Sequence, residues 1–324
     1  MIIHDTIYGG IEITEPVILE LIETSAMQRL KGVDQNAVAG IVEISWGRFS
    51  RFNHCVGVMS LIKRLGGSIE EQIAGLVHDI SHTAFSHAMD FAFGAAETQD
   101  FHEKHLLRIV NKSNIPEILR RYGFETDHVL DHHNFSILEQ PLPALCADRV
   151  DYALKTFLTS FDVPLSLLKE MLADLTVFQG QIVFQTKTFA RQFADLFIRG
   201  DKERWGGSYI GNTIYHLFSQ ILKKAHDRGE ITFDDFFTTD KELMDKLSKE
   251  TRQEVADLTK LHLTEVEPGS PHDLHLNAKV RYVDPPVLIA GQLNKLSEID
   301  EEFAKNLQQF IARRKHGNYV KITK

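Results

Sequence analysis

The sequence predicts an all-α fold with a small β-hairpin and a helical carboxyl-terminal region packed onto a helical core. Three observations carry this. Apolar residues recur at three-and-four spacing through most of the chain. Helix-starting and helix-stopping residues stand at the ends of these runs. Strand-like alternation is nearly confined to one short stretch. The composition agrees: 324 residues, 43% hydrophobic and 25% charged, suit a globular chain with a sizeable core.

Taken in order, residues 18–30 place Ile18, Leu19, Leu21, Ile22, Ala26 and Leu30 at helical spacing. The next predicted helix covers 53–65, with Val58, Leu61, Ile62 and Leu65 on its apolar side, and Gly66-Gly67 ends it. Ser68 is the predicted N-cap of the following helix, with Glu71 at capping-box spacing. That helix sends Ile69, Ile73, Leu76 and Val77 into the core and delivers His78-Asp79 at its carboxyl end. Further helical patterns cover 102–111, 115–121, 144–158, 164–173, 187–199, 209–227, 240–248 and 296–314. Residues 176–184 read as a hairpin turning at Gly180, and the proline-rich stretch 265–288 as loop with a short strand at 279–282. No fixed repeat or low-complexity tract appears. Residues 1–160 hold nearly all the candidate chemistry, and 161–324 form the helical carboxyl-terminal region, with no linker that forces a cut between them.

Net charge is -9, which argues against a protein that coats nucleic acid by bulk electrostatics, while a local basic pocket for phosphate stays open. Cys55 and Cys146 are the two cysteines, too few for a disulfide framework, and their apolar neighbours predict buried packing. No apolar run reaches the length of a membrane span and the amino terminus lacks a signal pattern, so a cytoplasmic location is expected.

Sixteen histidines are present, and His78, His82, His87, His102 and His105 crowd one region. Imidazole is the commonest ligand for borderline metals and the commonest proton carrier near neutral pH. His78-Asp79 is the sharpest element. On a continuing helix adjacent residues point about 100° apart, so they share one ion only where the helix frays or ends. Further ligands come from elsewhere: His54 one helix earlier, and Asp148 at the start of a later helix, where Asp148, Asp151, Tyr152 and Lys155 share one face. A neutral imidazole with a hard carboxylate suits Mn, Fe, Ni, Zn or Mg. His128, His132 and His133 read as a solvated loop; a ligand among them would add a second metal.

Residues 51–58 (RFNHCVGV), 78–87 (HDISHTAFSH) and 148–152 (DRVDY) resemble the HD-domain phosphohydrolases, and within them the dGTP and dNTP triphosphohydrolase branch. The resemblance extends from Asp5, Tyr8 and Gly9 and residues 28–30, through the hairpin and residues 239–243, to 279–285; no SAM domain is read ahead of it. It implies that His54, His78, Asp79 and Asp148 hold one divalent metal. It also implies that His82 contacts the attacked phosphate, and that His102 transfers a proton while Asp90 orients it. Arg51, Arg149, Tyr152 and Arg199 would hold phosphates, His87 line the same pocket, and Gln35 contact the nucleoside. Relatives often assemble, so a homo-oligomer is expected.

The sugar-facing end departs from the branch. Where dNTP-specific enzymes carry an Arg-Asp pair, this chain has Lys155 and Thr156, and neither Trp205 nor Tyr209 aligns cleanly with the branch's sugar-facing tyrosine. Both aromatics stay open between core packing and base stacking. A (d)NTP triphosphohydrolase-like enzyme is the leading expectation. A phosphatase on a nucleoside monophosphate or other small phosphate ester is the alternative, and a non-catalytic regulatory or nucleic-acid-binding module the second.

Overall fold

The computed structural model describes residues 1–42 and 46–323. The chain is mostly helical, and three small β-sheets accompany the helices among the described residues. The all-α expectation therefore holds for the core and is corrected at the sheets. Ile2–Asp5 pairs with Gly9–Glu12 in an amino-terminal hairpin. The predicted hairpin pairs Leu175–Phe178 with Gln181–Phe184, and its turn residues Gln179 and Gly180 take φ of 51° and 75°. Such a two-residue left-handed turn matches the twist of the paired strands. It does not stand alone, because Phe184 pairs in parallel with Val287 and joins a second hairpin, Pro286–Ile289 with Gln292–Lys295. Pro286 hid that strand in the sequence, yet it stands at the first strand position, where a missing N–H is tolerated. The strand Asn318–Thr323 lies between His262–Val266 and Leu274–Leu276. The strand expected at 279–282 does not form.

The helix Arg51–Arg64 starts at Ser50, whose hydroxyl accepts the Asn53 N–H at 3.1 Å. It ends at Gly66, which takes φ 81°, while Gly66 and Gly67 donate to the Lys63 and Ile62 carbonyls at 3.1 and 2.9 Å. This paired cap needs a residue free to enter the left-handed region. Helix Ile69–Val77 follows and packs against it. Ser68 accepts the Glu71 N–H at 3.1 Å, but the reciprocal half of the expected capping box is missing. Glu71 turns inward instead and accepts the Ile137 and Leu138 N–H groups at 2.7 and 3.1 Å, satisfying buried donors that no helix serves.

Two predicted helices are each broken in two. Thr24 restarts one as the cap of Ser25–Arg29 after Pro16–Ile22, and Asp300 caps Glu301–Arg314 after Leu296–Ile299. In both cases a short polar side chain inside an apolar pattern captures a backbone N–H. The predicted helix at 102–111 likewise shortens to Leu106–Asn111 behind a tight turn. Helix Ala147–Ser160 packs on Arg51–Arg64. One hydrophobic cluster runs from Ile7 to Phe310 and so draws on both sides of residue 160. A second cluster joins helix Tyr209–Asp227 to Ala84, Phe85, Ala88 and Met89. Among the described residues, no helix is long and apolar enough to cross a membrane.

Candidate functional site

Helix Ile69–Val77 stops just before His78, and the chain turns so that the His82 N–H meets the Asp79 carbonyl at 2.9 Å. Ending the helix here lets two adjacent side chains face one space. Across that space stand His54, from helix Arg51–Arg64, and Asp148, from the first turn of Ala147–Ser160. His54 Nε2 lies 2.9 Å from Asp148 Oδ1 and 3.7 Å from Asp79 Oδ2. His78 Nε2 lies 3.6 Å from Asp79 Oδ1 and 3.7 Å from Asp148 Oδ1.

The donors fit a divalent cation. His54 Nδ1–H donates to Asp151 at 2.7 Å and His78 Nδ1–H to the Gly75 carbonyl at 2.8 Å. Both Nε2 lone pairs are thereby presented inward, and His78 Nε2 is buried with no hydrogen-bond partner among the described residues. Two imidazoles and two carboxylates form a donor set for a borderline metal. Asp151 is held in turn by Lys155 Nζ at 2.9 and 3.0 Å, and Lys155 also donates to the Asn53 carbonyl at 2.7 Å. Lys155 therefore sits behind His54, beneath the site. Gly57 leaves room for this pair: a Cβ there would stand 2.1 Å from Asp151 Oδ1 and 2.3 Å from Lys155 Nζ.

The electrostatics agree. Burial alone would raise the Asp79 carboxyl, but Arg51, then His78 and His54, hold it well below the usual carboxylate range. Against the lowering by burial, Asp79 and Asp148 lift His78 to about 9, and Asp148 and Asp151 raise His54. This cage favours positive charge, which a divalent cation supplies.

A row of imidazoles adjoins the cage. His82 and His102 stack with ring centroids 3.7 Å apart, their Nε2 atoms 3.4 and 3.9 Å from Asp79 Oδ1. Burial pushes His102 down to about 4 and His82 well below its ordinary value, so both rings are neutral near pH 7. The expected pairing of Asp90 with His102 is corrected. Asp90 Oδ2 accepts from His87 Nδ1 at 2.9 Å, and Oδ1 accepts the Phe101 N–H at 3.0 Å. Three residues of tight turn bring His87 onto Asp90, while His102 stacks on His82 and leaves its Nδ1 buried without a partner.

The loop between these groups is strained and braced. Phe85 and Ser86 both take positive φ, 57° and 49°, a conformation that side chains beyond glycine adopt at a price. Asp240 holds the Phe85 and Asp34 N–H groups at 2.7 and 3.0 Å, and Arg29 donates to the Ile80 and His82 carbonyls, each at 2.8 Å. Arg51 donates to Asp79 at 2.5 Å and to Ser86 at 3.0 Å; its remaining NH2 is buried with no hydrogen-bond partner among the described residues.

These groups open into a cavity of about 500 Å³, a volume typical of small-molecule sites. Gln35, His87 and Tyr152 line it, as does Arg149. The Arg149 guanidinium, however, is already committed: it donates to the Ala144 and Gln140 carbonyls, to Cys146 Sγ and to Glu139, at 2.7 to 3.1 Å. Arg199 is a correction. It lies on the outer face of helix Lys187–Glu203, over the Phe161 ring at 4.1 Å and bonded to Glu203 at 3.0 Å, outside the cavity lining.

Of the other lining residues, sequence reasoning left Trp205 open and missed the rest. His132, read as solvated loop, lines the cavity with its ring 6.3 Å from that of His78. Trp205 lines it in edge contact with Tyr152 at 5.0 Å, and Tyr215 lines it stacked on Phe91 at 5.6 Å. Lys279 and Arg281 enter from the carboxyl-terminal half. Their spacing of two, among apolar residues, was the available signal; Tyr215 lies within a regular helical pattern that offered none.

The HD-domain family model matches residues 51–154, the segment that carries the cage. Over the whole length of both chains, this protein is 34% identical to the uncharacterized protein YdhJ of Bacillus subtilis. It is 29% identical to the metal-dependent phosphohydrolase cns2 of Cordyceps militaris, across 97% of this chain and 93% of that one. The deoxynucleoside triphosphate triphosphohydrolase SAMHD1 of Homo sapiens is 30% identical, over 38% of this chain and 23% of that protein. A hypothetical protein of Aquifex aeolicus, known by crystal structure, shares the fold with TM-score 0.61 and 17% identity, covering 98% and 99% of the two chains.

Proposed function

The chain belongs to the HD-domain family and is an HD-type metal-dependent phosphohydrolase, and we propose that its substrate is a nucleotide whose phosphate is hydrolysed beside His54, His78, Asp79 and Asp148. The observation that carries this reading is the meeting of two inward Nε2 atoms and two carboxylates, from three separate segments, at a cavity also lined by cations and aromatic rings.

Bound there, a divalent cation would draw electrons from a phosphate oxygen and ease deprotonation of the attacking water. Arg51 offers its free NH2 to the charge that spreads over the phosphoryl oxygens. His82, neutral and stacked on His102, contacts the phosphate through a hydrogen bond. His102 remains a candidate proton carrier, and His87 joins it because Asp90 orients its ring and offsets part of the lowering that burial imposes on its basicity. Gln35, with Oε1 buried and unpartnered, and the Trp205 and Tyr215 rings contact the nucleoside.

Triphosphate release from a (d)NTP is the leading form of this reading, and the partial likeness to SAMHD1 supports it. Orthophosphate release from a nucleoside monophosphate is the second form, favoured by the committed donors of Arg149. A nucleotide panel with Mn, Fe, Ni, Zn and Mg tests both: triphosphate as product supports the first, orthophosphate from monophosphates the second, and no turnover of any phosphate compound overturns the reading. A cytoplasmic location and a homo-oligomer belong to the same reading on family likeness alone, and light scattering of the purified chain tests the latter.

A further inference from the structure

Every cage residue comes from the amino-terminal half, yet two cations reach the same cavity from the stretch between Leu274–Leu276 and Pro286–Ile289. That stretch is pinned firmly. Asp201, fully buried, accepts the Arg281 N–H at 2.9 Å and Arg314 Nε at 2.7 Å. The Lys279 N–H reaches the Ala96 carbonyl at 3.3 Å. Gly206 approaches so closely that a Cβ there would stand 2.0 Å from the Lys279 carbonyl oxygen. The Arg281 guanidinium bonds Gln99.

The ammonium of Lys279 differs from its neighbours. Among the described residues it has no hydrogen bond or ion pair, although it is half-buried beside a second cation. Burial and Arg281 both work against its charge, and Asp148, Glu139 and Glu103 offset this only in part. Two like charges held together on a braced backbone, one of them without a partner, form a preorganised receptor for an anion. Neither stands within ion-pair distance of Asp79 or Asp148, so both lie beyond the cage. Of the other arginines lining the cavity, Arg149 is committed within the protein and Arg51 is tied to Asp79.

We propose that Lys279 and Arg281 form a second anion subsite of this cavity, which takes a phosphate group of the substrate other than the one held at the cage. The inference rests on the phosphohydrolase reading above and deepens it, since it selects substrates with at least two phosphates.

The test is calorimetric titration of the Mn-loaded protein with orthophosphate and with methylenediphosphonate, a diphosphate that does not hydrolyse. Chelation strengthens the diphosphonate in every variant, so the informative quantity is the ratio of the two affinities. Lys279→Gln and Arg281→Gln should each lower that ratio roughly 10-fold or more, the scale of a charge-assisted hydrogen bond, with orthophosphate binding unchanged. Lys279→Arg should keep the ratio. Lys279→Gln should melt at or above the wild-type temperature, because it removes a repelled charge, and so reports on a folded protein. An unchanged ratio in the Lys279→Gln/Arg281→Gln double variant overturns the subsite and leaves the phosphohydrolase reading standing. Failure of the wild type to bind either probe, with no turnover of any phosphate compound, overturns both.

Discussion

The two groups that line the cavity, the cage and the Lys279–Arg281 pair, are built differently. In the cage, each imidazole's outer nitrogen is fixed by a protein acceptor, and one of these, Asp151, is fixed again by Lys155. On the Lys279 side the backbone is braced by Asp201, but among the described residues the charged tip of Lys279 has no hydrogen-bond or ion-pair partner. The difference teaches a division of labour. The cage is preorganised to one geometry because a cation demands defined donors. The Lys279 side keeps one ammonium open beside Arg281, and in the proposed subsite its partner arrives with the substrate.

The most damaging way to break this contrast is Asp79→Ala. Loss of retained metal and of all turnover is expected, measured by elemental analysis and product assay; wild-type activity in this variant would refute the cage. Next comes the identity of the proton carrier. Removing it should lower kcat ~100-fold to 10,000-fold with metal retained. If the Asp90 pairing decides the role, His87→Ala and Asp90→Asn lose activity together and His102→Ala loses less. A larger loss in His102→Ala, with a shifted acidic limb of the pH-rate profile, would return the role to His102.

Removing support from behind the cage should act through affinity and stability. Lys155→Met strips Asp151 of its buried cation, so about 3–5 kcal/mol of destabilisation is expected in urea unfolding, with roughly 10- to 100-fold weaker metal binding. Unchanged unfolding and metal affinity would show that Lys155 supports nothing. The smallest effect concerns the strained loop. Burial raises Asp240 to about 6, against the two N–H bonds that it accepts. Its folded pKa lies above the unfolded one, so the folded state binds the extra proton, and stability falls as pH rises from about 4 through 6. Asp240→Asn should flatten the dependence of melting temperature on pH in that window; an unaltered slope would contradict the assignment.

Much of the cage wall was legible in the sequence. The helix that stops at Val77 and delivers His78 and Asp79 was readable from apolar spacing, while the convergence of His54 and Asp148 on them came from the family resemblance. Asp90 pairs with His87 instead of the expected His102 for a physical reason: that choice depends on the turn at residues 87–90 and on the Phe101 N–H, neither of which spacing encodes. Arg199 was drawn away by Glu203 one turn later, and Lys279 and Arg281 were obscured in a proline-rich stretch whose course is set by Asp201 some 80 residues earlier. The sheets were hidden likewise. The strands Pro286–Ile289 and Asn318–Thr323 take their partners from distant segments, and only the local hairpin announced itself.

The most direct test of the cage is X-ray absorption at the manganese edge on the Mn-loaded protein. Two imidazole scattering patterns in a mixed nitrogen and oxygen shell are predicted, falling to one in His78→Ala. A shell of oxygen alone in the wild type, with no imidazole signature, would contradict the account.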